Sequence, residues 1–255
     1  MTTFPQHKLK TVLQDWTPHA VVTHAWLKQR GVSHDLAREY VNNGWLERLG
    51  PGTFKRPKDA VTWQGALSSL QTQLGLKVHV GALTALTADG GSHYARPGGE
   101  TVFLFSQTGT TLPKWFREHA WPAPISLTQT NLLPPDMGLR EGANAGFQLQ
   151  TSAAERAVLE ALHLAPKDID LIELFQIVEG LRTLRPKLMQ SLLEACNSIK
   201  VKRLFLFMAQ KASLPVLAHL DHKAISLGSG DRMLVPGGTY VAEFGLIVPK
   251  ELAPA

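Results

Sequence analysis

One cysteine in 255 residues, Cys196, excludes an internal disulfide. It falls in Leu192-Leu-Glu-Ala-Cys196-Asn, where helical spacing aligns the thiol with apolar neighbours and makes it a packing residue. Long apolar runs are also missing: the strongest, Leu204 to Ala209, is far too short to span a bilayer. The opening residues Met-Thr-Thr-Phe-Pro-Gln-His-Lys lack the apolar core of a signal peptide, so a cytoplasmic protein without membrane association is expected. There is no low-complexity tract and no fixed-period repeat. With 44% apolar and 18% charged residues, the chain has the composition of an ordinary globular protein.

Signatures of catalysis are equally scarce. His219-Leu-Asp-His222 has neither a cysteine partner nor a His-Glu-x-x-His arrangement to make a metal site. Gly228-Ser-Gly230-Asp lacks the Gly-Lys-Ser/Thr ending of a phosphate-binding loop, and the Gly-x-Ser-x-Gly nucleophile elbow does not occur. Glu155 with Glu160, or Glu173 with Glu179, are the pairs available as acid and base, but helical surroundings assign them surface or capping roles. No catalytic residue, metal or cofactor is expected.

What is present is positive charge in one place. The net charge of +5 comes wholly from the first quarter: nine Lys or Arg against four Asp or Glu lie before Asp59, and the remaining seventeen of each sign cancel. A polyanionic partner for that quarter follows.

Its pattern is that of a small helical module. Leu9, Val12 and Leu13 form one apolar stripe across Gln6 to Asp15. Thr23 can cap a second helix, His24 to Arg30, which ends at Gly31, and Ser33 caps a third. Two short helices joined by Gly-Val-Ser have the form of a helix-turn-helix. On the third, Leu36, Ala37, Tyr40 and Val41 share one face, while His34, Asp35, Arg38, Glu39 and Asn42 share the other. Arg reads guanine and Asn reads adenine through paired hydrogen bonds, which makes Arg38 and Asn42, with Ser33 and His34 at the helix head, the candidate base readers. Asp35 and Glu39 leave a solvated face as the competing interpretation. Trp45 to Leu49 and Thr53 to Arg56, joined by Gly50-Pro-Gly52, then read as a hairpin. Lys55, Arg56 and Lys58 on this wing, with Lys28 and Arg30 on its flank, are the candidate phosphate contacts.

The expected fold class is α+β: a winged helix-turn-helix over residues 1–58, then a larger mixed α/β domain over 59–255. Within the latter, residues 59–150 should form a mixed sheet, and 151–255 should be mainly helical with terminal strands. Asp59 to Leu74 reads as a linking helix and Gly81 to Ala88 as a short one. Val78–Val80, Thr101–Phe105, Ile125–Thr130 and Phe147–Leu149 read as strands, with turns at Gly90-Gly91, Pro97-Gly98-Gly99 and Pro134-Pro135. Ser152 and Glu155 match a capping box, Asp168 can cap the next helix, and Pro186 opens another. Lys200 to Lys211 is a helix or a buried strand. Arg182, Arg185, Lys187, Lys200, Lys202 and Arg203 cluster in sequence, either as a second DNA or acidic-partner surface or as a solvated rim.

Several stretches together carry a resemblance. They are Leu36-Ala-Arg38-Glu-Tyr40-Val-Asn-Asn-Gly44-Trp-Leu-Glu-Arg48-Leu-Gly50-Pro-Gly52-Thr-Phe54; Ala82-Leu-Thr-Ala-Leu86 before His93-Tyr94; Leu112-Pro-Lys-Trp115; Ser152-Ala-Ala-Glu155-Arg156-Ala157; Leu184-Arg185-Pro186 through Leu193-Glu-Ala-Cys196; Lys200-Val-Lys-Arg203; and the Gly237-Gly238 and Val248-Pro249 ending. In order and spacing the chain resembles the AbiEi-type antitoxins of type IV toxin-antitoxin systems. The resemblance implies repression of its own operon through double-stranded promoter DNA with inverted repeats, and neutralisation of a nucleotidyltransferase-like toxin, with direct contact left open. It carries over no catalytic residue and no cofactor. The residues alone leave two other classes standing, a stand-alone winged-helix regulator with a ligand-sensing C-terminal domain and, ranked last, a metal-dependent nuclease or phosphotransferase.

Overall fold

The computed structural model describes residues 5–88 and 101–253. The turns expected at Gly90-Gly91 and Pro97-Gly98-Gly99, and the His93-Tyr94 pair, lie outside the described residues. The elements begin with α1 (Pro5–Asp15), β1 (Val22–Thr23), α2 (His24–Gln29), α3 (His34–Asn42), β2 (Glu47–Gly50), β3 (Thr53–Lys55) and α4 (Trp63–Thr72). There follow β4 (Val78–Val80), α5 (Ala82–Ala88), β5 (Val102–Ser106), α6 (Lys114–Glu118), β6 (Ile125–Gln129), β7 (Leu139–Asn144) and β8 (Phe147–Ser152). The chain ends with α7 (Ala154–Leu164), α8 (Leu171–Glu179), α9 (Pro186–Ala195), α10 (Ile199–Lys211), β9 (Arg232–Met233), β10 (Thr239–Val241) and β11 (Leu246–Val248). The class is α+β.

The chain divides into two compact units: one of Met1–Val78, Gly109–Ile125 and Glu141–Gln150, the other of His79–Thr108, Ser126–Arg140 and Thr151–Ala255. In the first, local chemistry sets the helix starts. Thr23 Oγ1 accepts from the Trp26 amide and Ser33 Oγ from the Leu36 amide, each at 3.2 Å, caps worth about 1 kcal/mol apiece. Gly31, at φ 77°, makes the left-handed turn between α2 and α3. Strands β1, β3 and β2 form a three-stranded sheet in that order, with Glu47 opposite Lys55 and Arg48 opposite Phe54. Val12, Trp16, Leu27, Val32, Ala37, Tyr40, Leu46 and Phe54 are buried between helices and hairpin. Three helices closed by this small sheet are a winged helix-turn-helix.

The charge boundary at residue 58 is not where packing in this unit ends. Helix α4 serves the same body: Ser69 Oγ donates to the Val21 carbonyl at 2.5 Å, and Gln73 accepts from the Thr23 amide at 2.8 Å while donating to Val21 at 3.0 Å. Gly65 lies so near the His19 carbonyl that a Cβ would overlap it. Helix α6, absent from the sequence reading, packs on β2, with Trp115 against Gly50. Arg56 turns inward: its Nη2 donates to the carbonyls of Leu13 and Trp16 at the end of α1.

A five-stranded sheet has the order β6-β5-β4-β8-β7, with β4 and β8 parallel and Val80 opposite Thr151. Helix α7 packs against α5, α8, α9 and α10 and is buried on nearly every side. The expected capping box does not form. Ala153, not Ser152, is the N-cap of α7 and provides no side-chain bond. Ser152 Oγ instead donates to Glu160 at 2.8 Å, and Glu155 accepts from the Arg185 amide, Nε and Nη2 at 2.7, 3.0 and 2.9 Å. Asp170, rather than Asp168, caps α8, accepting from the Ile172 and Glu173 amides. Pro186 opens α9 as expected, and residues 200–211 are helical within α10. Strand β7, also unforeseen, joins β8 through Ala145-Gly146. Strands β10, β11 and β9 make a separate small sheet.

Glu160, 1% exposed, is the polar centre of the second unit. Its Oε1 accepts from His79 Nε2 at 2.8 Å and Arg156 Nε at 2.7 Å, and its Oε2 from Ser152 Oγ and the Ala82 amide. Arg156 Nη1 continues to the Pro134 and Met137 carbonyls, both at 2.7 Å. Burial alone would raise the Glu160 pKa, but His79 and then Arg156 hold it below the ordinary carboxyl value.

Two outcomes follow. A carboxylate whose folded pKa is depressed stabilises the fold above its unfolded value, and that contribution disappears as pH falls through the folded one. Glu160→Gln should therefore lose about 3–5 kcal/mol in urea unfolding at pH 7, and the gap to the wild type should narrow as pH drops below about 4.3; a gap independent of pH would refute the ionised network. Arg56→Ala, which strands two carbonyls, should lower the unfolding midpoint by an equivalent of about 1–3 kcal/mol, whereas an unchanged midpoint would show Arg56 to be a free surface cation.

Candidate nucleic-acid interface

Helix α3 buries Ala37 and Tyr40 and exposes His34, Asp35, Arg38, Glu39 and Asn42, the division that its periodicity implies. Ser33 is spent on the cap and has its hydroxyl directed to the helix head. Arg38 Nη1 lies 3.9 Å from Asp35 Oδ1, but with side chains 67% and 91% exposed this pair holds Arg38 only weakly. The Arg38 guanidinium and the Asn42 amide, one turn apart, thus project from a rigidly seated helix, as groove reading requires.

At the helix head the His34 ring stacks on His24, with centroids 3.3 Å apart and planes 9° from parallel. The His24 amide donates to the Gly52 carbonyl in the wing turn at 2.7 Å. Burial first, then His34 and Lys28, hold the His24 pKa below the ordinary imidazole value. Sequence reading missed His24; its one local signal was the repeated pattern of a hydroxyl cap followed by histidine, Thr23-His24 and Ser33-His34.

The wing cations divide into free and committed. Lys55 Nζ bonds Glu47 Oε2 at 2.6 Å and the Asp59 carbonyl at 3.2 Å, a contact that lowers the Glu47 carboxyl below its usual range. Arg56 is spent on α1, and Arg30 lies over the Trp26 ring at 3.6 Å with its Nε on Asp15 at 3.0 Å. These three have partners within the module, which leaves them less available to a phosphate backbone. Lys28 and Lys58 stay exposed, and Arg48 on β2, which the sequence reading left out of the site, joins them.

The second basic cluster does not assemble as a surface. Arg203, 6% exposed, gives its guanidinium to the carbonyls of Leu227, Gly228, Gly230 and Gly245. Lys200 Nζ caps the carbonyls of His163 and Ala165 at 2.9 and 2.6 Å, and Lys202 is 4% exposed. The reason is α10, which is buried along most of its length, so cations on it must turn inward. Only Arg182, Arg185 and Lys187 remain at the surface, with Arg182 on the Ala212 carbonyl and Arg185 on Glu155. A groove of about 1000 Å³ lies beside them, lined by Arg185, Lys187, Leu188, His219 and Asp221.

Of the acid pairs considered for catalysis, Glu173 is half-buried and Glu179 exposed, whereas the other pair lies inside. Glu155 and Glu160 are 2% and 1% exposed and locked in ion pairs, which corrects the surface or capping role expected of them. Among the described residues no group of three His, Cys, Asp or Glu could hold a metal ion, and no helix is long and apolar enough to cross a membrane.

Comparison with known proteins agrees with this architecture. The family described as "Transcriptional regulator, AbiEi antitoxin N-terminal domain" matches residues 5–96, and that described as "Transcriptional regulator, AbiEi antitoxin, Type IV TA system" matches residues 99–249. Among solved structures, the RV2827C protein from Mycobacterium tuberculosis is similar in fold, with a TM-score of 0.61 over 96% of this chain and 91% of that one, at 15% identity. A search of curated proteins gave no match. With both halves matched, the chain belongs to the AbiEi-type antitoxins, the transcriptional regulators of type IV toxin-antitoxin systems.

Proposed function

We propose that this protein represses its own operon by binding inverted repeats in double-stranded promoter DNA, and that it counteracts a nucleotidyltransferase-like toxin encoded beside it. The observation that carries the DNA half is the seating of α3: a buried Ala37-Tyr40 side and a Ser33 cap fix the helix, while Arg38 and Asn42 stand exposed. Lys28, Arg48 and Lys58 supply the phosphate contacts, and with them affinity and salt dependence. Family membership supports the antitoxin half, which is assigned to the second unit. Its exposed cations Arg182, Arg185 and Lys187 are the surface offered to the toxin or to a nucleic acid.

The groove lined by Arg185, Lys187 and His219 favours a second reading, a regulator whose larger unit senses an anionic small molecule. Rescue of cells expressing the neighbouring toxin decides between the two.

Fluorescence anisotropy on the DNA preceding the protein's own gene tests the interface. Arg38→Ala should cost about 1–3 kcal/mol on the specific site and relax discrimination at one base pair, whereas Lys58→Ala should weaken all sequences alike and lower the salt slope by about one. Wild-type binding by both variants would place the DNA surface elsewhere. A separation test addresses the two halves: Arg38→Ala combined with Asn42→Ala should abolish repression of a promoter reporter yet keep toxin rescue. Loss of both together would contradict the division of labour between the units.

A further inference from the structure

His24 and His34 each occupy the first position of a helix, directly after the caps Thr23 and Ser33. One ring belongs to α2 and the other to α3, and they lie face to face at 3.3 Å. Through its amide, His24 also holds the Gly52 carbonyl of the wing turn at 2.7 Å. One residue therefore touches both elements that carry the candidate DNA contacts. Besides His34, the charged group acting on the His24 ring is Lys28 on α2; Asp35 and Arg38 follow His34 along α3, and β1 and the Gly52 turn carry no charged residue. His24 Nε2 is buried and has no hydrogen-bond partner among the described residues.

Stacked neutral imidazoles attract by dispersion, and a stack with one proton remains attractive as a cation on a π face. A second proton places two like charges at ring-contact distance and forces the rings apart. The burial and positive neighbours that lower the His24 pKa delay that second proton to acid conditions.

We propose that His24 is a positioning residue for DNA recognition: its ring holds His34 at the head of α3 and its main chain holds the wing turn, so helix and wing keep one spacing while the stack carries at most one proton and lose it when both rings are protonated. The consequence for DNA rests on the DNA-binding reading above; the geometry does not.

The test uses the full-length protein with His24→Phe, which keeps a flat ring without the second proton, and His24→Ala, which removes the ring. Histidine-ring and backbone-amide resonances are followed from pH 8 to pH 5, and affinity for the promoter duplex is measured over the same range. In the wild type the amides of residues 34–42 and 50–54 should move together as the pH is lowered. In His24→Phe those amides should stay in place; in His24→Ala they should already be displaced at pH 8. The ratio of wild-type to His24→Phe affinity should fall about tenfold between pH 7.5 and pH 5.5. Unmoved amides in the wild type overturn the proposal, as does a flat affinity ratio where DNA is bound. If neither the wild type nor any variant binds the duplex at any pH while the wild-type amides move together, the DNA reading fails and the positioning of α3 by His24 stands.

Discussion

Glu160 has no route to water, and much of the second unit is arranged so that its charge is answered. A buried carboxylate left alone costs several kcal/mol, so each lone pair must meet a donor. His79 comes from β4, Arg156 from one turn back on α7, Ser152 from the end of β8 and the Ala82 amide from the start of α5. Four pieces of chain are thereby tied to one side chain, and Arg156 extends the tie to the loop at Pro134 and Met137. The same rule acts on α10, where Arg203 answers four carbonyls of the glycine-rich segment around residues 227–245. Charge in this unit is spent on architecture.

In the first unit the rule acts on some cations and spares others. Lys8 bonds the Gly31 carbonyl, Arg30 sits on Trp26, Lys55 pairs with Glu47, and Arg56 closes the end of α1. Lys10, Lys28, Arg38, Arg48 and Lys58 remain exposed. A count of positive charge overstates what is offered to a phosphate backbone; what matters is which cations lack an internal acceptor. Apart from Lys10 on α1, the exposed cations lie on the helix-turn-helix and wing, which supports the proposal that this unit is the DNA-binding half of an AbiEi-type regulator.

How much of this could be read from the chain alone depended on the range of the interaction. Thr23 and Ser33 bond amides three residues on, and Gly31 acts on its own backbone, so the helix-turn-helix and its exposed Arg38 and Asn42 were legible. Long-range acceptors were not. Nothing near Arg56 shows that its carbonyls come from Leu13 and Trp16, and nothing near Glu160 points to His79. The Ser152–Glu155 pair matched a capping box because that motif is four residues long, yet both side chains had stronger partners elsewhere in the fold. Helix α4 reads alike whichever body it joins; its place is settled by Gly65 against His19 and by Gln73 on the β1 backbone. Five-residue α6 carries too few turns for a periodicity to show, and its seat on β2 depends on Gly50 leaving room for Trp115.

A capped, exposed α3 beside a partly cationic wing is proposed to read DNA. Hydroxyl-radical footprinting of the full-length protein on the DNA preceding its own gene tests it most directly. The account predicts protected backbone positions on two faces of adjacent major grooves, related by a two-fold axis and fading as salt is raised. Uniform cleavage at protein concentrations well above those of non-specific binding would contradict it.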